Sequence, residues 1–125
     1  MSIELVPGLG PFITAALSVA VVPEGDLQGQ TFPLIAVQDV GASSDPTFDQ
    51  IGWQTLRLQF GCYAPQRGPA NDLRSRLRTL LEGFRGQLPN GLFLEDVEFA
   101  TQSGAFDEGL RQHRALIDLR FKFNM

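Results

Sequence analysis

One histidine, His113, and one cysteine, Cys62, are all that the sequence offers for thiol or imidazole chemistry. A reactive thiolate needs a polar, part-exposed setting. Cys62 instead falls on the apolar side of an alternating run, after Leu56, Leu58 and Phe60, and reads as a small buried hydrophobe. His113 stands where a polar segment meets an apolar alternation, the position of a solvated side chain. Glu95, Asp96 and Glu98 are close in sequence, and two flanking carboxylates can act as acid and base. Here Asp96 and Glu98 share a strand face while Glu95 points away, the pattern of a solvated sheet surface. A metal site needs three or four clustered His, Cys or carboxylate ligands, and no such spacing occurs. The segment PGLGP, residues 7–11, lacks the lysine and hydroxyl of a phosphate loop and the spacing of a dinucleotide fingerprint. The expectation is a protein without catalytic residues, cofactor or metal.

The arginines carry more information. On a helix Arg74, Arg78 and Arg85 share one stripe, with Arg76 alongside and Arg67 just ahead. Such a stripe can track phosphates, or it can be the solvent face of an amphipathic helix. The net charge of -4 speaks against nucleic-acid gripping, which depends on neutralising phosphates. The planar guanidinium fork also suits carboxylates of a neighbouring chain. Arg74 and Arg78 are therefore candidate partner contacts.

The elements that must position these residues follow from periodicity. With 125 residues the chain is one domain, 1–125. Its 43% hydrophobic and 19% charged content fit a folded globular unit and not a disordered one. The apolar stretch from Leu9 to Val22 is broken by Gly10, Pro11, Thr14 and Ser18 and is too short to span a bilayer. No basic residue precedes it, so neither a secretory signal nor a membrane anchor is expected. Residues 11–17 suit a short helix, and Ser18 to Val22 suits a strand equally well. Strands are expected at Phe32 to Val40, Gln54 to Tyr63, Leu92 to Ala100 and Arg114 to Phe123, the last alternating Ala115, Ile117, Leu119, Phe121 and Phe123 against Arg114, Asp118, Arg120 and Lys122. Leu73, Leu77, Leu80, Leu81 and Phe84 recur at helical spacing, which predicts a helix over 72–85, capped by Asn71 or Asp72 and stopped at Gly86. The fold expected is a two-layer α+β domain: about four mainly antiparallel strands, one long helix packed on one face, and a short N-terminal helix or strand.

Two segments read as loops of about a dozen residues, Gly41–Gly52 and Thr101–Gln112, a length that is usually functional. Each holds large apolar residues that a solvated loop does not need: Phe48 and Ile51 in the first, Phe106 and Leu110 in the second. Trp53 falls on the Arg57 side of its strand, away from the face a helix would cover. These five residues are candidate anchors at a subunit interface.

Taken in order, Val21-Val22-Pro23, Phe32-Pro33-Leu34-Ile35-Ala36-Val37-Gln38, the strand ending in Cys62-Tyr63-Ala64, the helix running into Gly83-Phe84-Arg85-Gly86, and the closing strand Arg114 to Phe123 resemble the tail-completion, or tail-terminator, proteins of long-tailed bacteriophages. The likeness runs from about residue 19 onward. Residues 1–18 depart from it, since members usually begin with a longer helix bearing scattered charges. The resemblance implies a homo-oligomer, a hexameric ring at the head-proximal end of the tail tube. That ring ends tube polymerisation once the tape-measure protein is covered and offers a docking surface to the head-completion or connector protein. It implies a place in the tail or neck of the virion after synthesis in the host cytoplasm, with DNA passing through and not bound by sequence. The function would be assembly by differential binding. The alternatives are a head-side completion or other minor tail protein, and a monomeric ligand-binding α+β domain.

Overall fold

The computed structural model describes residues 5–42 and 53–124. Helix α1, Leu5–Leu17, forms despite its prolines and glycines. Pro7 lies in the first turn, where a backbone N–H has no helical acceptor to lose. Leu5, Leu9, Ile13 and Leu17 recur every four residues and are buried. Gly8 sits on the same side, where an added Cβ would lie 2.5 Å from the Asn90 side chain. A larger residue there would have to displace the Asn90 side chain. The chain then forms β1, Ala20–Pro23, so the N-terminal region holds a helix and a strand in succession.

Strands β2 (Leu34–Ala42), β3 (Trp53–Ala64), β4 (Gly86–Gln87), β5 (Phe93–Asp107) and β6 (Gln112–Asn124) complete one sheet in the order β1-β2-β3-β6-β5-β4. β1 runs parallel to β2 and every other pairing is antiparallel. Helix α2, Arg67–Leu81, lies between β3 and β4 in sequence. The expected four-stranded antiparallel sheet with one long helix is thus corrected to a six-stranded mixed sheet with two short helices. The two edge strands are too short, at four and two residues, to give a periodic signal.

Two further boundaries differ for clear reasons. α2 begins at Arg67, five residues early, because Pro69 occupies its first turn without removing a helical bond; the first intrahelical bond runs from the Ala70 N–H to the Gln66 carbonyl. Asn71 and Asp72 are therefore inside the helix, and its N-terminus has no side-chain cap. The helix stops at Gly83, which adopts the left-handed φ of 80°, and not at Gly86, so Phe84 lies beyond it. The segment Thr101–Gln112 is not a loop. β5 runs on to Asp107, residues 108–111 turn, and β6 begins at Gln112, making a long hairpin.

Both helices cover one face of the sheet. Ala70, Leu73, Leu77 and Leu81 of α2 and the α1 row join Leu58, Phe60, Ile117, Leu119, Phe121 and Phe123 in one core, as the alternation predicts. The opposite face holds a smaller cluster, Leu27, Leu34, Ala36 and Tyr63. Gly61 makes room there: a Cβ would come within 2.9 Å of the Tyr63 ring. The rest of that face is a charge ladder. Arg57 and Arg120 stand directly opposite each other on β3 and β6, an arrangement that repels. Asp118 takes two bonds from Arg57 at 3.1 and 2.6 Å, and Glu98 lies 3.5 Å from Arg120.

Candidate functional site

Of the expected interface residues, Phe48 and Ile51 lie outside the described residues. Trp53 opens β3 in register with Asn124. Phe106 is in β5 opposite His113, with its ring edge-on to the imidazole at 4.9 Å between centroids. Phe106 is 47% exposed, unusual for a large apolar side chain. Leu110 sits in the hairpin turn. Its N–H donates to Asp107 Oδ1 at 3.0 Å, and its side chain packs on the Leu27, Leu34 and Tyr63 cluster of its own chain.

The arginine stripe divides in two. Arg78 donates through Nε to Glu82 Oε1 at 2.7 Å and lies 3.8 Å over the Phe99 ring. Arg85 stacks 5.3 Å from the Phe93 ring centre and is 3.6 Å from Glu95. Both are held within the chain. Arg74 instead reaches across the sheet, donating to the Ser103 carbonyl at 2.5 Å and to Asn71 Oδ1 at 3.5 Å.

With Arg67, Arg74 lines a cleft of about 450 Å³ between the first turns of α2 and the far part of the β5–β6 hairpin. Gln102 to Phe106, His113 and Arg114 form its strand side, and among the described residues no carboxylate lines it. Sequence reasoning missed Arg114 here, because its place depends on the unforeseen extension of β5. Arg114 hydrogen-bonds the Tyr63 hydroxyl, which holds its pKa upward and keeps it charged. Tyr63 in turn donates to Glu24 Oε2 at 2.9 Å. Burial is the main cause pushing the Tyr63 pKa up to about 12, with Glu24 adding to it and Arg114 opposing.

The residues that could do chemistry are engaged structurally. Burial pushes the Cys62 thiol up to about 12 against a small opposing pull from Arg74, so it stays protonated and inert. Glu95 and Glu98 face Arg85 and Arg120, while Asp96 accepts from the Val97 N–H. Among the described residues no group of three or more His, Cys, Asp or Glu could hold a metal, and no helix is long and apolar enough to cross a membrane.

No protein-family model matches the chain, and no curated protein matches it significantly. A solved structure does. A chain in the virion of a native gene transfer agent (GTA) particle superposes with a TM-score of 0.66 at 15% identity, over 90% of this chain and 84% of that one. The two share a fold.

Proposed function

We propose that this chain is a structural protein of a phage-like virion and, more finely, a tail terminator: a hexameric ring at the head-proximal end of the tail tube that ends its polymerisation and receives the head connector. The observation that carries the reading is the fold shared across nine-tenths of the chain with a component of a GTA virion. The ordered motifs that resemble tail-completion proteins give it its finer form. The engagement of Cys62 and of the carboxylates in packing and ion pairs favours assembly over catalysis. In this reading Phe106, Trp53 and Arg74, with Phe48 and Ile51, meet adjacent subunits through a heterologous, closing contact.

The test is Phe106→Asp, chosen because this ring is about half exposed and lies outside the core, so its loss leaves the core intact. The variant should keep its circular dichroism spectrum yet yield tails of uncontrolled length or tails without heads in electron micrographs. Native mass spectrometry of the wild type with tube protein should give a six-fold species. Particles of normal length from the variant, together with a monomer in the presence of tube protein, would sink the proposal. Recovery of a head-shell protein instead of tube protein in a pull-down would favour a head-side completion protein.

A further inference from the structure

We propose that the cleft between the first turns of α2 and the far part of the β5–β6 hairpin is a docking site for an acidic polypeptide segment of a partner protein. The segment would present carboxylates to Arg67, Arg74 and Arg114 and an apolar side chain to Phe106. The inference rests on the reading of Arg74 and Phe106 as partner contacts; it names the chemistry of what they contact and does not require a ring.

Charge is the first argument. Three of the chain's ten basic residues surround one cleft that no carboxylate lines among the described residues, in a protein whose net charge is -4. Arg57, Arg78, Arg85 and Arg120 each have a carboxylate within 4 Å. Among the described residues Arg67, Arg74 and Arg114 have none, as is also true of Arg76 and Arg111 outside the cleft. Instead, neutral groups aim them: the Ser103 carbonyl and Asn71 hold Arg74, and the Tyr63 hydroxyl holds Arg114. Asp107 and Glu24 act on Arg114 from beyond ion-pair distance, and a guanidinium held by a neutral acceptor keeps other N–H donors for a carboxylate. The α2 N-terminus beside them has neither a side-chain cap nor an acidic residue in its first turn, which adds a partial positive charge on the same side.

Shape is the second argument. β4 pairs only with Phe93 and Leu94, so the outer edge of β5 has no strand partner farther along. Unpaired edges normally carry charge or proline to prevent association. From Phe99 to Phe106 this edge carries neither. Its residues Gln102 to Phe106 also line the cleft, so an extended segment laid there meets backbone donors and acceptors as well as the arginines. A volume of about 450 Å³ accommodates a few side chains and not a duplex.

Fluorescence anisotropy with a fluorescein-labelled peptide, GDEFEDLG, tests the idea, with GNQFQNLG as the uncharged control. The acidic peptide should bind with a Kd on the order of 10–100 μM in low salt, at least tenfold tighter than the control, and weaken as salt rises. Arg67→Glu should reduce binding at least tenfold. Arg67 makes no ion pair or hydrogen bond among the described residues, so this variant keeps its fold. Arg67→Gln should fall between it and the wild type. Equal binding of the two peptides, no binding at millimolar peptide, or indifference to Arg67→Glu would overturn the proposal. So would tenfold tighter binding of a single-stranded oligonucleotide of equal charge, which would assign the cleft to nucleic acid. Because the assay uses the isolated protein, peptide binding together with normal tails from Phe106→Asp and a monomer in the presence of tube protein would refute the ring and leave the cleft intact, and the converse result would do the opposite.

Discussion

Replacing Arg57 by alanine removes the cation that neutralises the one charged side chain buried among the described residues, Asp118, which is 4% exposed. The two partners are unequal. The Arg57 side chain is 42% exposed and can return to water, whereas Asp118 cannot. Exposed ion pairs contribute about 0.2–1 kcal/mol, and breaking a fully buried one costs about 3–5. This half-buried pair, with two bonds into one carboxylate oxygen, should lie between, so Arg57→Ala should cost about 2 kcal/mol. Asp118→Asn keeps an acceptor for Arg57 and leaves no buried charge, so it should cost only about 1 kcal/mol. The double variant should be no worse than Asp118→Asn alone, a coupling of about 2 kcal/mol. Urea melts of all four proteins give the cycle. In thermal melts the Arg57→Ala loss corresponds to a fall of roughly 6–10 °C for a domain of this size. An Arg57→Ala cost below about 0.5 kcal/mol, or a larger cost for Asp118→Asn, would show that Asp118 does not depend on Arg57, and the reasoning from unequal burial would fail.

Leu77→Ala, at a fully buried position where α2 meets the sheet, should cost about 2–5 kcal/mol in urea melts, and a loss under about 1 would refute that packing. Tyr63 is the chain's one tyrosine, so ultraviolet titration of its phenolate should give a midpoint near 12 in place of 10. Because the folded state holds that proton longer than the unfolded state, Tyr63 stabilises the fold below pH 10 and that contribution is lost as pH rises from about 10 to about 12. Tyr63→Phe should flatten the decline, and an unchanged pH slope would argue against a buried, bonded hydroxyl.

The parts of the fold legible in the sequence are those with one buried and one solvated face. β3, β6 and the leucines of α2 show clean period-two or helical spacing, and they meet as expected. β5 beyond Ala100 was illegible because Thr101 to Phe106 is exposed on both faces, so no alternation marks it as a strand. β1 and β4 are too short for any period, and helix boundaries moved where proline was tolerated in a first turn or glycine turned left-handed. The site was half legible. The arginine stripe was visible, and the i,i+4 spacing of Arg78 and Glu82 could have separated Arg78 from Arg74. The cleft needed Arg114, which a sequence cannot bring to α2 without the extended hairpin.

The position of β6 bears on how the molecule is made. It follows every other element in sequence, yet it lies between β3 and β5 at the middle of the sheet. Its bond from Arg57 to Asp118 spans 61 residues. As the chain leaves the ribosome, β3 and β5 both wait with bare inner edges, and the main core lacks Ala115, Ile117, Leu119, Phe121 and Phe123 until they emerge. Closure of the sheet is therefore a single late event with a high loop-closure cost, which places folding after translation of this region and in the slower range for small domains. A chain cut between β5 and β6 keeps the β1-β2-β3 and β4-β5 pairings but leaves the inner edges of β3 and β5 bare, which exposes it to association at those edges.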